Sequence, residues 1–177
     1  MAHSTRGFTL YELLMTMMLI GVLVSIGLPS FSGTLARSRQ TTEINALFHA
    51  IHLARKESIR RRQVVTLCPS SDGDTCVRTN DWSTGWLLFN NADQDSPPQV
   101  DPGEFVVLRH RVNASFRVTA NRRAFTLRAT YKRATNGTFV VCDRRARVPA
   151  KALIVSYTGR PRVADIRSDG DPWRCAD

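Results

Sequence analysis

Residues 7–31 read GFTLYELLMTMMLIGVLVSIGLPSF, and this stretch decides the fold because Glu12 is its only charged residue. No further charge follows until Arg37, so residues 13–36 form one uncharged segment. A helix over that segment would rise about 36 Å at about 1.5 Å per residue, which is enough to cross a hydrocarbon core of about 30 Å. Arg6 on the N-terminal side predicts that this end stays in the cytoplasm. The sequence therefore predicts one membrane-spanning helix that carries an exported domain.

Glu12 argues against three simpler interpretations: a cleaved secretory signal, a plain membrane anchor and a buried core helix. A secretory signal has an uninterrupted apolar stretch followed by an A-x-A-like cleavage site. Here a carboxylate comes four residues after Phe8, and the run ends in LPSF. A lone carboxylate near the end of a membrane segment is costly to bury. Glu12 therefore indicates either a partner charge or a functional requirement.

The sequence GFTLYELL at residues 7–14 resembles the processing motif of type IV prepilins and pseudopilins. The resemblance implies that a prepilin peptidase cuts between Gly7 and Phe8, that Phe8 is then methylated, and that Glu12 serves assembly. In an apolar filament the Glu12 carboxylate could pair with the N-terminal amine of a neighbouring pilin subunit, so a wrong axial register would leave a buried charge unpaired. The implied location is the inner membrane as a single-pass protein with its C-terminal domain in the periplasm, and afterwards the pilus or pseudopilus.

The resemblance divides the chain into four parts. Residues 1–7 are a leader that is removed, 8–31 the transmembrane half of the N-terminal helix, 32–62 its amphipathic half, and 63–177 a periplasmic β domain with a basic C-terminal tail. Pro29, together with Gly27, predicts a kink or a melted turn in the helix. Apolar residues of the second half follow 3–4 spacing and predict a core-facing stripe, opposite a charged face. The stripe is Ile44, Leu47, Phe48, Ile51 and Ala54, and the charged face is Arg37, Arg39, Glu43, Arg55 and Lys56.

Beyond residue 63 the pattern changes to short β-branched and aromatic runs separated by Asn, Asp, Gly and Pro. The predicted strands are 64–68, 85–89, 105–109, 115–119, 125–130, 138–143 and 152–157. This order predicts an α+β fold in which a long kinked helix packs on an antiparallel two-sheet β domain. It is similar to the type IV pilin fold, and in particular to the minor pilins of the FimT/FimU/GspH type. That narrower resemblance is carried by CPS at 68–70, DWS at 81–83, GW at 85–86, the acidic segment NADQD at 91–95, CDRR at 142–145, ALIVS at 152–156 and GRPR at 159–162.

The four cysteines are Cys68, Cys76, Cys142 and Cys175, and none forms a C-x-x-C pair. An even number of cysteines in an exported domain favours disulfides over a zinc site. Three pairings are possible from the sequence. We favour Cys68–Cys76, which closes a short polar loop, and Cys142–Cys175, which would hold a polar tail that could not pack unaided.

The chain carries 25 Lys and Arg against 15 Asp and Glu, and all but three of the basic residues are arginines. Arginine binds phosphate and carboxylate through a planar fork and so suits an anionic partner, although coding bias and ordinary solvation would give the same composition. The sequence GRPR at residues 159–162 is similar to the GRxR motif of FimT-type pilins, which bind DNA during natural transformation. In that family a glycine often follows Cys-Asp-Arg-Arg, where this chain has Ala146.

The resemblance implies a surface that binds DNA without sequence preference. Its residues would be Arg160 and Arg162 with their basic neighbours Arg144, Arg145, Arg147, Lys151 and Arg167. A solvated basic tail or a contact surface for other pilins would explain the same residues. The alternative functions are therefore a priming minor pilin without a ligand of its own and a type II secretion pseudopilin.

Catalytic and metal-binding patterns are absent from the sequence. It contains no G-x-S-x-G, no H-E-x-x-H and no glycine-rich phosphate loop, so we expect neither an enzyme nor a cofactor. Asn91, Asp93 and Asp95 have the spacing that opens a calcium loop, but Ser96 replaces the turn glycine and Pro102 stands in place of the bidentate Glu. We therefore expect no metal site.

Overall fold

The computed structural model describes residues 7–129 and 134–175, except for the side chains of residues 26–30. The leader residues 1–6 and the predicted strand end at Thr130 lie outside this range. The elements are α1 Leu10–Arg61, β1 Val65–Pro69, β2 Trp86–Asn90, β3 Val106–His110, β4 Phe116–Ala120, β5 Phe125–Leu127, β6 Gly137–Asp143, β7 Lys151–Val155 and β8 Pro161–Ala164. The α+β architecture predicted from the sequence is confirmed.

Helix α1 is continuous from Leu10 to Arg61, so of the two alternatives predicted at Gly27 and Pro29, a kink or a melted turn, the melted turn is wrong. A proline removes one backbone hydrogen bond, and that loss does not end a helix whose C-terminal half is held in the core. The helix ends where Arg62 takes a left-handed conformation with φ 55°, and Arg60 and Arg61 in the last turn both bind Glu57. Within the described residues, no helix is both long and apolar enough to cross a membrane.

The strands form two four-stranded antiparallel sheets. Sheet A has the order β3-β2-β1-β5, and sheet B has the order β4-β6-β7-β8. All seven predicted strands exist, and each begins within one residue of its predicted start. The strand β8, which begins at Pro161 of the GRPR sequence, was not predicted. A proline at the first residue of an edge strand is compatible with a sheet, since its missing N–H is not needed there.

One apolar core lies between the inner faces of both sheets and the second half of α1. The helix contributes Ile44, Leu47, Ala50, Ile51 and Ala54, all of which are buried. The predicted stripe is therefore confirmed, with Phe48 packed at its margin.

Trp82 joins the two sheets across this core. Its ring contacts Phe125 of sheet A at 5.8 Å and Phe139 of sheet B at 5.0 Å between centroids. Its backbone N–H donates to the Val118 carbonyl at 2.8 Å. The side chain is fully buried, so both sheets depend on it for packing.

Glu43 is buried, which corrects its predicted place on the charged face of the helix. Only 5% of the residue is exposed. Its carboxylate lies 2.9 Å from His110 Nε2 and accepts the Asn113 N–H at 3.1 Å. The partners of this carboxylate lie in and after β3, far from Glu43 in the chain. The periodicity of the helix therefore could not predict its burial.

The two disulfides are Cys68–Cys76 and Cys142–Cys175, which confirms the favoured pairing. Cys142 lies in β6 with Val140 and Thr138, two and four residues away, on the face that points away from the core. The bond to Cys175 therefore fixes the C-terminal tail on the outer face of sheet B. The other disulfide closes a loop beside the small outer cluster of sheet A, formed by Cys68, Leu87 and Phe89.

Candidate functional site

The N-terminal end of α1 is a capping box formed by Thr9 and Glu12. Thr9 Oγ1 accepts the Glu12 N–H at 3.2 Å, and Glu12 Oε2 accepts the Thr9 N–H at 3.1 Å. This arrangement satisfies two N–H groups that have no partner within the helix. Gly7 and Phe8 precede it and are exposed. The peptide bond predicted for cleavage thus lies in a non-helical, accessible segment directly before the capped helix.

The first half of α1 is apolar around its whole circumference and exposed. Phe8, just before the helix, is 83% exposed and Leu23 is 71% exposed, and the large apolar residues between them are 43–76% exposed. The exposed apolar side chains of this half are Leu10, Tyr11, Leu13, Leu14, Met15, Met17, Met18, Leu19, Ile20, Val22 and Val24. A soluble monomer rarely exposes so large a contiguous apolar surface, which marks a contact with protein or lipid.

The basic turn, residues 156–162, consists of the connection from β7 to β8 and the first two residues of β8, and it carries Arg160 and Arg162. The Gly159 N–H donates to the Ser156 carbonyl at 2.9 Å, and the Ser156 N–H donates to the Arg160 carbonyl at 3.1 Å. Gly159 has φ 71°, and a Cβ there would lie 3.2 Å from Arg55 Nη1 of the helix. Arg55 donates to the Thr158 carbonyl, so the turn is anchored on α1.

Several basic residues predicted to face DNA are held by neighbours instead. Arg147 pairs with Asp143 at 2.8 Å, Lys151 with Asp165 at 3.2 Å, and Arg167 with Asp169 at 3.0 Å. Arg144 donates to the Phe116 carbonyl at 3.2 Å. These contacts reduce the positive charge that the tail offers to an external anion.

Asp143 and Arg147 form the most buried of these pairs. Hydrogen bonds from the Arg147 side chain lower the pKa of Asp143 to about 2. The Asp143 side chain is fully buried, while Arg147 is partly exposed. The role of Arg147 is therefore to hold the turn after β6.

Arg145, Arg160 and Arg162 are exposed, and within the described residues their guanidinium groups form neither an ion pair nor a hydrogen bond. Arg162 pairs in register with Ile154, and Ile154 pairs with Thr138. Cross-strand partners share a face, so Arg162 lies on the outer face of sheet B. The structure thus reduces the seven predicted DNA-binding residues to three free cations.

A cavity of about 540 Å³ lies on the same outer face, under the C-terminal tail. Trp173 and Arg174 of the tail line it opposite Arg117, Thr138 and Val140. The Trp173 Nε1–H is buried and has no hydrogen-bond partner among the described residues. The outer face of sheet B therefore combines the Trp173 N–H donor, unpaired among the described residues, with an arginine on each edge strand. These arginines are Arg117 in β4 and Arg162 in β8.

The sequence model of the family described as Type II transport protein GspH matches residues 43–159. This match covers well over half of the chain. The chain belongs to the GspH family. The matched segment runs from the second half of α1 to Gly159 of the basic turn, so it includes both sheets except β8.

Relatives and solved structures agree with this family. The pilin-like protein PilA1 of Thermus thermophilus is 34% identical over 101 residues, which are 57% of this chain and 56% of PilA1, so the chain spans about half the length of that relative. The type IV minor pilin FimU of Pseudomonas aeruginosa has the same fold, with a TM-score of 0.55 and 17% identity over 73% of this chain and 90% of FimU. A second crystal form of FimU gives a TM-score of 0.50 at 18% identity, over 72% and 91% of the two chains. The chain is thus a GspH-family protein with the fold seen in FimU.

The GspH match stops short of both ends of the chain. Gly7, Phe8 and Glu12 precede it, and Arg160 and Arg162 follow it. The roles of these residues therefore depend on the sequence and geometry of this GspH-family protein itself.

Two contacts at the site were not predicted from the sequence. The capping box has a sequence signal, Thr-x-x-Glu directly before an apolar run, which was present at residues 9–12. The bond from Arg55 to the Thr158 carbonyl joins residues 103 positions apart and has no such signal. Local motifs reveal the first kind of contact, whereas only the tertiary fold reveals the second.

Proposed function

We propose that this protein is a filament subunit that acts by assembly and binding rather than by catalysis. A prepilin peptidase would cut between Gly7 and Phe8, and Phe8 would be methylated. The apolar half of α1 would hold the subunit in the inner membrane, with its β domain in the periplasm, until the same surface packs against other pilin subunits. The exposed apolar half of α1 is the observation that carries this proposal, because such a surface needs lipid or protein around it.

Glu12 has a specific place in this proposal. In the separate chain its carboxylate caps its own helix through Oε2, which leaves Oε1 for the N-terminal amine of a neighbouring subunit. A wrong register would leave that carboxylate without a cation in an apolar filament. The charge of Glu12 is therefore expected to matter for assembly, and the cap for local helix stability.

Two substitutions separate these roles. Glu12→Gln keeps a capping side chain but removes the charge, whereas Thr9→Ala removes the cap and keeps the charge. In cells that assemble the filament, Glu12→Gln should abolish recovery of the subunit in sheared filaments, while Thr9→Ala should only reduce it. Mass spectrometry of the mature chain should show an N-terminal methylated Phe8. Normal incorporation of Glu12→Gln would contradict the proposed role.

A second function, sequence-independent DNA binding that supports natural transformation, is favoured by the basic turn. The guanidinium groups of Arg160 and Arg162 are exposed and have no partner among the described residues, and the Arg55 bond to Thr158 holds the backbone between β7 and β8 against α1. A pre-ordered loop loses less conformational entropy on binding. Guanidinium groups bind phosphate oxygens with two parallel N–H donors. Arg174, which lines the cavity on the outer face of sheet B, adds a further cation to the face that carries Arg162.

The salt dependence of binding tests this function. Full-length protein in detergent micelles would be titrated with labelled DNA of random sequence at several salt concentrations. Arg160→Ala/Arg162→Ala should weaken binding and reduce the slope of log K against log salt by about 1.8 for duplex DNA, or about 1.4 for a single strand, since each phosphate contact contributes about 0.9 or 0.7.

Arg78→Ala/Arg123→Ala is the matched control. Both residues are exposed on the other side of the molecule, beside the Cys68–Cys76 disulfide, and the charge change is the same. This variant should keep the wild-type slope. Equal losses in the two double variants would show that only net charge matters, and no loss in either would favour a structural minor pilin without a ligand.

A further inference from the structure

We propose that the acidic loop, residues 91–105 between β2 and β3, binds a calcium ion through Asp93, Asp95, Asp101 and the side-chain oxygen of Asn91. One carboxylate oxygen from each of the three aspartates lies within 4.8 Å of the others. Calcium takes carboxylate and amide oxygens at about 2.3–2.6 Å, so two ligands of one ion lie at most about 5 Å apart. The three oxygens therefore fit around a single ion.

Asn91 supplies an independent indication of a ligand. The residue is 2% exposed, and its Oδ1 has no hydrogen-bond partner among the described residues. Its Nδ2 donates to Asp95 Oδ1 at 2.9 Å, so the amide end of the side chain points into the carboxylate cluster. A half-turn of the amide would place Oδ1 next to Asp95, and a cation between them would satisfy both oxygens. A bound ion thus explains a buried carbonyl oxygen that is otherwise unpartnered.

Backbone hydrogen bonds hold the carboxylates in place. Glu104 accepts the Ala92 N–H at 2.6 Å and the Asp101 N–H at 3.2 Å, which ties the two ends of the loop together. Asp95 Oδ2 accepts the Gln99 N–H at 2.8 Å. Glu104 is therefore a positioning residue, because it brings Asp101 to the same place as the aspartates at the start of the loop.

The charge of the loop favours the same conclusion. Like charges this close repel one another, yet within the described residues no Lys or Arg forms an ion pair with Asp93, Asp95 or Asp101. The chain has an excess of basic residues, and none of those described neutralises this cluster. A divalent cation would do so.

The sequence argument against calcium used the spacing of one known loop type. That spacing needs a glycine at Ser96 and a glutamate at Pro102. In the structure the remaining carboxylate comes from Asp101, which Glu104 holds beside the first two aspartates. The expectation of no metal site was based on that fixed spacing, and it did not take account of ligands that the fold brings together.

Calorimetric titration of the full-length protein in detergent micelles, after EDTA treatment, tests the proposal. CaCl₂ should bind at one saturable site with a Kd of about 0.1–1 mM, the range of extracellular calcium modules. MgCl₂ should bind more weakly, because Mg²⁺ requires closer ligands in octahedral geometry. The absence of saturable calcium binding, or equal affinity for magnesium, would overturn the assignment.

Two isosteric variants locate the site. Asp93→Asn keeps a side-chain oxygen that can accept the Asp95 N–H, which lies 3.2 Å away. Asp101→Asn breaks no hydrogen bond, because the Asp101 side chain forms none within the described residues. Both Asp93→Asn and Asp101→Asn should therefore fold in EDTA with a wild-type Tm, yet bind calcium at least about tenfold more weakly. Asp171→Asn in the tail makes the same charge change and should bind calcium as the wild type does. Wild-type affinity in both loop variants would show that the acidic loop is not the site.

Discussion

Sheets A and B are alike inside the molecule and different outside it. Each has four antiparallel strands, contributes its inner face to the same core and carries one disulfide near its outer face. The loops of sheet A hold the carboxylates of the acidic loop, whereas sheet B carries the basic turn and the arginines of the tail. The shared core therefore fixes the fold, while the loops and outer faces of the two sheets can differ in charge.

Trp82 is the strongest test of the shared core, because its ring contacts both sheets. Trp82→Ala should lower the free energy of unfolding by about 3–5 kcal/mol, the usual cost of removing a large buried aromatic side chain. Denaturant unfolding followed by circular dichroism would measure it. Trp82→Phe should lose clearly less. A loss below about 1 kcal/mol for Trp82→Ala would mean that the sheets are stabilised separately.

Removing each disulfide in turn compares the outer faces of the two sheets. The chain-entropy model predicts a loss of about 4 kcal/mol when the Cys142–Cys175 pair is replaced by alanines and about 2.5 kcal/mol for Cys68–Cys76, because the bonds close loops of 33 and 8 residues. Denaturant midpoints of the two double variants would measure the difference. A larger loss for the shorter loop would contradict this order.

The sequence predicted features that depend on residues close together in the chain and missed those that depend on residues far apart in it. Strand starts, the apolar stripe of α1 and both disulfides were predicted, since each leaves a local pattern of alternation, 3–4 spacing or cysteine position. The burial of Glu43 and the anchoring of Thr158 by Arg55 were not predicted, because their partners lie far away in the chain. The site was predicted in part for the same reason: GRPR was recognised as a motif, while the ion pairs that occupy Arg147, Lys151 and Arg167 appear only in the fold.

Ion pairs beside the two sheets differ in burial, which predicts different responses to acid. The Asp143–Arg147 pair of sheet B is largely buried, whereas Arg109–Asp74 of sheet A is exposed. The pKa of Asp143 is lowered to about 2 by the Arg147 hydrogen bonds. Its contribution of about 2 kcal/mol is therefore complete above about pH 5 and is lost as the pH falls from about 4 to about 2.

Asp143→Asn should remove that contribution, so its unfolding free energy should be lower than that of the wild type at pH 7 and nearly equal to it at pH 2. Asp74→Asn should change the unfolding free energy by less than about 1 kcal/mol, because exposed pairs contribute little. Urea unfolding between pH 2 and pH 7 would compare the three proteins. A constant difference between Asp143→Asn and wild type over this range would contradict the assigned cause.

The smallest expected effect concerns matching turns beside the two sheets. Gly73 beside sheet A and Ala146 after β6 both take left-handed conformations, with φ 86° and φ 51°. Ala146 also donates its N–H to the Asp143 carbonyl at 3.0 Å, so the turn keeps this conformation although alanine disfavours it. Ala146→Gly should therefore raise the unfolding free energy by about 0.5–1 kcal/mol, and Gly73→Ala should lower it by about 1 kcal/mol or more. Thermal unfolding of both variants would show shifts of opposite sign. Destabilisation by Ala146→Gly would mean that its methyl group packs against the turn, and that the strain at this residue is smaller than its φ indicates.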